Sequence, residues 1–309
     1  MTERREWTYT GPHGRRLRAV LWTPAGPVRG MVQVVHGLMG HVMRYDETAR
    51  FLCERGFAVC GIDLPGHGCS ESDAPACFAR RHGWDVALAA VRSLRGEIGG
   101  TWPYWFVLGH SMGSFLVRTW LIRWPGETDG VLLSGTAQKP QAAIFTGRIL
   151  MSLACLLCTP LRPIPGAAPR FLRRNNRRVP HPVTDRDWVS RDPAVPQELL
   201  ADPLCQDFPT AGLLRDMLAG MQYNGSPART ARMDPATPVY FFSGTDDPVG
   251  DYGVGVRRAA ALFASCRDVT VRLYPGGRHE MLHETNRARV FDDLAVWLDA
   301  HMTKKEASP

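Results

Sequence analysis

What this chain of 309 residues has least of is anything that would tie it to a membrane span, a disulfide framework or a nucleic acid. Its most apolar stretch, Ala142 to Leu161, is broken by Gly147 and Arg148 and ended by Pro160, Pro163 and Pro165. A bilayer-crossing helix needs about 20 predominantly apolar residues, and a mid-span arginine is costly. The stretch is expected instead to form a lid helix, or one that touches a lipid surface. The eight cysteines show no even, short-range framework, and the opening residues Met1-Thr2-Glu3-Arg4-Arg5-Glu6 are charged throughout, unlike a secretory leader. Reduced thiols in a cytoplasmic protein are the simplest account. Cys155-Leu156-Leu157-Cys158 has metal-like spacing, but no second Cys/His pair accompanies it and it lies in the apolar stretch, so packing is expected there and not zinc. The net charge of +7 is moderate and the basic residues are scattered. That argues against nucleic acid as a partner and leaves peripheral attraction to anionic lipid open. No internal repeat is present.

What is there is an ordinary globular composition, 44% hydrophobic, in a length that holds one large α/β domain with an insertion or two modest domains. Short apolar runs alternate with helical patterns, the signature of a mostly parallel sheet covered on both faces. Trp7–Thr10 and Leu17–Trp22, joined through Gly11-Pro12-His13-Gly14, read as an antiparallel hairpin. Strands are predicted at Met31–Val35, Phe57–Ile62, Tyr104–Leu108 and Val131–Leu133, with helices at Tyr45–Arg55 and Trp84–Ile98. From about Ala137 to Asp234 no strand pattern appears. Strands then resume at Val239–Phe242 and Val269–Leu273, with helices near Gly253–Ala264 and Arg287–Met302. A sheet interrupted in this way suggests a helical cap inserted at the carboxyl ends of the strands, where open α/β folds place their sites.

One segment carries the chemistry. Gly109-His110-Ser111-Met112-Gly113 follows the apolar run Trp105-Phe106-Val107-Leu108 and leads into a helical pattern from Ser114. A serine in Gly-x-Ser-x-Gly between a buried strand and a helix is the nucleophile elbow of the α/β-hydrolase fold. The turn strains the serine backbone and exposes its hydroxyl at a helix N-terminus, where a developing negative charge is favoured. A serine hydroxyl needs a base and a group that orients the base, and in this fold they follow the serine in the order acid, then histidine. Ser243-Gly244-Thr245-Asp246-Asp247-Pro248-Val249 stands directly after one strand. Tyr274-Pro275-Gly276-Gly277-Arg278-His279-Glu280 stands directly after the next. Order and sheet edge therefore agree, although the residues alone favour neither aspartate over the other. His82, His110, His181 and His283 compete less well than His279, which follows the last strand and a glycine-rich turn. Two oxyanion donors are needed. The N–H of Met112 is one candidate, and the N–H of Leu38, in the loop His36-Gly37-Leu38-Met39-Gly40, is the other.

These segments together resemble the monoglyceride lipase and lysophospholipase branch of the α/β-hydrolases, the serine aminopeptidase S33 or hydrolase 4 group. The resemblance is carried by His36-Gly37-Leu38 with His41 and Arg44-Tyr45-Asp46, by Asp63-Leu64-Pro65-Gly66-His67-Gly68-Cys69-Ser70, by the elbow, and by the acid and histidine loops. In the cap, Asp187-Trp188-Val189-Ser190-Arg191-Asp192 and Asp202-Pro203-Leu204-Cys205 resemble segments of bacterial members. The family's acid stands three residues after the glycine of its loop, which lands on Asp247. Its nucleophile lands on Ser111, its base on His279, its oxyanion donors on Leu38 and Met112. Asp63 and His67 match residues that hold a loop beside the sheet. Two departures stand out: Met39-Gly40 where an acidic residue often precedes the histidine, and the arginine run Arg173, Arg174, Arg177, Arg178, for which a solvated face is the simpler account.

The expected fold class is thus α/β: an α/β-hydrolase fold with a mostly parallel sheet, helices on both faces and an inserted helical cap. Residues 1–136 and 236–303 would form the core, 137–235 the cap and 304–309 a tail. The resemblance implies a carboxylic-ester hydrolase acting on a small-molecule or lipid acyl ester, with monoacylglycerol or lysophospholipid leading. Leu153, Ile149 and Leu156 of the apolar stretch are expected to line the acyl site. No metal or organic cofactor is implied. An acyltransferase, thioesterase or peptidase would use the same triad, and a non-catalytic ligand-binding protein on a hydrolase scaffold is the reading from another class. Headgroup, acyl length, oligomeric state and pathway are not written in the sequence.

Overall fold

The structure, a computed structural model, describes Thr2–Cys205 and Phe208–Met302; the tail expected at 304–309 lies outside the described residues. Eight strands form one sheet in the order β1-β2-β4-β3-β5-β6-β7-β8. The opening hairpin pairs β1 (Glu3–Thr10) with β2 (Arg16–Thr23) antiparallel, from Glu3 opposite Thr23 to Thr10 opposite Arg16. Its first strand begins at Glu3, earlier than Trp7, because the charged residues before Trp7 stand on an exposed edge where polarity is no obstacle to pairing. β2 joins β4 (Phe57–Ile62) antiparallel, and every later pairing is parallel. β3 (Gly30–Val35), β4, β5 (Trp105–His110), β6 (Gly130–Ser134) and β7 (Val239–Gly244) are buried at every position, as strands covered on both faces must be. β8 (Val269–Tyr274) is half-buried at the far edge.

Two apolar layers cover the sheet. On one face, Leu52 of α1 (Asp46–Glu54) and Phe291, Leu294 and Trp297 of α10 (Arg287–Ala300) pack with Val34 and Phe106. On the other, Leu88 and Val91 of α2 (Gly83–Ile98), Leu116 and Trp120 of α3 (Met112–Arg123) and Val256 of a helix after β7 pack with Met31 and Val107. Between β6 and β7 the described residues contain helices and short turns and no strand: α4 (Gln141–Leu157), α5 (Ala167–Asn175), α6 (Ala194–Ala201), α7 (Ala211–Asn224) and α8 (Pro227–Thr230). The helix after β7 is α9 (Val254–Ala260). α7 fastens the insertion to the core. Its Asn224 donates to the Phe115 carbonyl (2.8 Å) and accepts from Thr119 (2.8 Å), both on α3. α4 packs along α7 yet leaves Phe145, Leu150, Leu156 and Leu157 exposed. No helix among the described residues is long and apolar enough to cross a membrane.

The junction of β5 and α3 sets the geometry of everything that follows. Ser111 sits there at φ 51°, ψ −120°, a conformation that costs a non-glycine residue about 1–3 kcal/mol. Its N–H donates to the Ser134 carbonyl of β6 (2.8 Å) and its carbonyl accepts from Ser114 N–H (2.9 Å). A Cβ on Gly113 would stand 2.0 Å from the Val35 carbonyl oxygen of β3, so only glycine lets α3 start this close to the sheet. Gly113→Ala is therefore expected to destabilise the protein by about 3 kcal/mol. Gly96→Ala, on the exposed side of α2 with nothing within 4 Å, should stabilise it by about 0.5–1 kcal/mol. Urea unfolding of the two variants measures both; equal midpoints would refute the close-approach argument.

Candidate active site

Three loops at the carboxyl ends of β5, β7 and β8 bring Ser111, Asp247 and His279 to one side of the sheet. Ser111 and His279 line a single, mostly apolar cavity of about 220 Å³. His279 is buried and its Nδ1 lies 3.0 Å from Asp247 Oδ1. Asp247 is fully buried. Its Oδ2 accepts from Ser243 Oγ (2.9 Å) and its Oδ1 from the Val249 N–H (2.8 Å). Asp246 is exposed and its carboxylate accepts from its neighbour Thr245 (3.1 Å). Of the two adjacent aspartates, then, 247 faces the imidazole. Burial works against the charged forms of both partners. The Asp247 charge and hydrogen bond nevertheless raise the His279 pKa above 6.5, and His279, Ser243 and backbone donors hold Asp247 below its usual value. The carboxylate thus selects the tautomer with the proton on Nδ1 and leaves Nε2 free to accept one.

Leu38 and Met112 line the same cavity beside Ser111. Among the described residues, neither N–H is taken up by a loop carbonyl. The loop that carries Leu38 is held from below. His36 Nε2 accepts from the Leu64 N–H (2.8 Å), and burial keeps this imidazole neutral by lowering its pKa well below 6.5. Asp63, fully buried, accepts from the N–H groups of Val42 (2.8 Å) and Cys69 (2.9 Å) and from Arg18 (3.1 Å). His110, whose side chain the sequence places away from the serine, packs its ring against His279 at 4.8 Å. Burial lowers its pKa to about 3, so it is a neutral wall and not a competing base.

The three residues expected to line the acyl site lie elsewhere. Leu153, Ile149 and Leu156 are 48%, 44% and 80% exposed on α4, and none of them borders the cavity. The apolar side of α4 turns outward because α7 occupies the space between it and the core. The cavity wall is built instead by Phe171 and Leu172 of α5, Trp188, Leu199 of α6, and Leu214 and Met217 of α7.

Two features of the site have no local sequence signal. Arg44 and Glu280 form a bidentate pair (2.8 and 2.7 Å) in the cavity wall; burial opposes the carboxylate, but Arg44 and His283 drive the Glu280 pKa well down. Trp188, from the insertion, lies against the His279 ring at 5.2 Å. Its segment is stitched to the histidine loop. The Glu280 N–H donates to the Val189 carbonyl (2.7 Å), and Arg278 donates to the carbonyls of Asp187 (2.6 Å) and Ser190 (2.9 Å). Ser190 Oγ donates to the His283 carbonyl (2.9 Å), and Arg191 pairs with Glu284 (3.0 Å). A hydroxyl at a strained strand–helix turn, an acid-oriented imidazole and open backbone donors are the parts needed for nucleophilic acyl transfer. All eight cysteines are free thiols.

The profile of the serine aminopeptidase S33 family (Hydrolase_4) matches residues 26–286. The chain is 29% identical over 307 residues to the monoacylglycerol lipase of Mycolicibacterium smegmatis, covering 97% of this chain and 98% of that protein. It is 28% identical over 309 residues to the monoglyceride lipase of Homo sapiens, covering 96% and 91%. Among solved structures, a lipase in its open form aligns with a TM-score of 0.85 at 26% identity over 97% of this chain and 100% of that one.

The raised His279 pKa has a measurable consequence. The imidazole must be neutral to take the serine proton, so labelling of Ser111 by a fluorophosphonate should fall with pH along a limb above the ordinary histidine value of about 6.5. Asp247→Asn should slow labelling by about four orders of magnitude and move the limb below that value, because burial then outweighs the remaining charge of Glu280. Asp246→Asn should change neither. A limb that stays put in Asp247→Asn would show that another group titrates.

Proposed function

The chain belongs to the serine aminopeptidase S33 (Hydrolase_4) family, and from that premise we propose that it hydrolyses lipid-like carboxylic esters through an acyl-enzyme on Ser111. It is a carboxylic-ester hydrolase by kinship with the lipases above. The observation that carries the finer reading is the Asp247–His279 pair, opening onto the same apolar cavity as Ser111. In this mechanism His279 takes the Ser111 proton as the oxygen attacks the ester carbonyl. Asp247 holds the imidazole and stabilises its charged form. The Leu38 and Met112 N–H groups hold the oxyanion. His279 then protonates the leaving alkoxide and later activates the water that releases the fatty acid. Residues 137–235 act as the cap that closes the acyl site.

The apolar lining favours an acyl chain over a peptide side chain, and each methylene buried contributes up to about 0.8 kcal/mol. Specificity constants should therefore rise with acyl length and reach a plateau when the cavity is full. Met217→Asp should depress hydrolysis of long-chain esters far more than of acetate esters, and Leu153→Asp, on the outer face of α4, should not. Ser111→Ala should lose about a million-fold in kcat with an unchanged melting temperature. Acetate esters as the best substrates, or residual activity within about a hundredfold of wild type in Ser111→Ala, would sink the reading.

The outer face of the insertion suits contact with an anionic bilayer. α4 exposes Phe145, Leu150, Leu156 and Leu157, and Arg173, Arg174, Arg177 and Arg178 are exposed on and after α5. A basic, apolar-studded surface gains about 1 kcal/mol per cation near such a membrane. Replacing these four arginines with glutamine should weaken sedimentation with phosphatidylglycerol vesicles while hydrolysis of dissolved esters stays close to wild type. Equal binding to neutral and anionic vesicles would refute it.

A further inference from the structure

The cavity holds a charge that the acyl-transfer mechanism does not use. Arg186 is 7% exposed and borders the cavity, yet it makes no ion pair among the described residues. Its Nη1 donates to two carbonyls, Cys205 (3.0 Å) and Leu199 (3.4 Å), and its Nε is buried without a partner. Among the described residues, the carboxylates near it are engaged or wet. Glu280 holds Arg44 with both oxygens, Asp202 is bound to His41, and Asp185 is exposed. A guanidinium held only by carbonyls keeps much of its desolvation cost, and burial draws the Arg186 pKa below its ordinary value. Arg118, on α3, is also buried on carbonyl and amide oxygens, but it does not border the cavity.

Beside Arg186 is a second unused atom. His41 Nε2 meets Asp202 Oδ2 at 2.7 Å, which places a proton on Nε2, so that Nδ1 is the acceptor of the neutral ring; that Nδ1 is buried and unpartnered. His41 also borders the cavity, and Asp202 links it to Cys205, whose carbonyl Arg186 holds. This corner belongs to the histidine side. Glu280 follows His279 directly, and Trp188, two residues after Arg186, lies against the His279 ring. The leaving alcohol must pass on that side to collect its proton.

We propose that Arg186 recognises a phosphate on the alcohol half of the substrate, with His41 Nδ1 accepting from a headgroup hydroxyl, so that the preferred esters are lysophospholipids and not uncharged monoacylglycerols. This rests on the ester-hydrolase reading. A charge-assisted hydrogen bond in a dry site discriminates by about tenfold or more.

The test is the ratio of kcat/KM for oleoyl lysophosphatidylglycerol to that for monooleoylglycerol, in neutral detergent micelles. Wild type should favour the phosphate ester. Arg186→Met should lower the ratio at least about tenfold, through KM, and Arg186→Lys should fall between. A wild-type ratio at or below one, or a ratio unmoved in Arg186→Met, overturns the proposal. A separate arm uses Ser111→Ala protein and calorimetry with glycerol 3-phosphate and with the lysolipid. Binding of the lysolipid that is weakened in Ser111→Ala/Arg186→Lys and lost in Ser111→Ala/Arg186→Met supports the site even if hydrolysis fails on other grounds. Binding of glycerol 3-phosphate alone, or of neither, overturns it.

Discussion

A carboxylate with no exposed surface sits at the centre of this structure, and the surrounding architecture keeps it charged. Removing an ion from water costs several kcal/mol even in a relaxed protein interior, and His279, Ser243 and backbone N–H groups such as that of Val249 offset that cost by donating to Asp247. Those donors come from two neighbouring strand ends. β7 supplies Ser243 and the acid loop, β8 supplies the histidine loop, and their register, Gly244 opposite Tyr274, brings the loops together. The loops touch without an intervening side chain. A Cβ at Gly244 would fall 1.8 Å from the Gly277 carbonyl oxygen, and the Asp246 N–H donates to that same oxygen (2.9 Å). The pair is therefore a consequence of sheet register plus one missing methyl group.

The serine reaches the pair through a different strand, and its strain is held by neighbours on both sides. The Ser111 N–H is bound to β6 and its carbonyl to the first turn of α3, so the unfavourable dihedrals cannot relax without breaking the sheet. What the core does not supply is dryness. Trp188 from the insertion covers His279, and Phe171 meets Trp188 edge to face at 5.8 Å. Dryness opposes the charge on Asp247 but strengthens its attraction for His279, so the hold of the carboxylate on the imidazole depends in part on residues inserted into the sheet from outside it.

Much of this was legible in the sequence because it is local. Each predicted strand lies within the observed one or overhangs it by a residue, since fully buried strands announce themselves as apolar runs bounded by glycine. The elbow and the two loops were legible because each is a short motif after a strand. The choice of Asp247 over Asp246 came from the resemblance and not from the residues themselves. Both stand in the same loop, and only burial separates them. Arg44 and Glu280 are far apart in the chain and carry no mutual signal, and neither do Trp188 and His279. The reading failed on Leu153, Ile149 and Leu156 for a physical reason. An apolar helical stretch implies a partner for its apolar side without naming it, and α4 spends its contact on α7 while showing the rest to solvent.

The bonds between the insertion and the histidine loop limit how the site opens. Lifting residues 187–191 would break the links from Glu280, Arg278, Ser190 and Arg191, at about 1 kcal/mol net for each neutral bond and more for the charged ones, and would uncover His279 as well. α7 is held to α3 through Asn224. The first turns of α5 are different. Phe171 is held by ring contacts to Trp188 and Phe208, each worth about 0.5–1.5 kcal/mol, and its helix ends at Asn176, whose side chain accepts from the Trp188 N–H (2.9 Å). The part of the wall that α5 contributes through Phe171 is thus held by ring contacts, and the part that lies against His279 by hydrogen bonds and an ion pair.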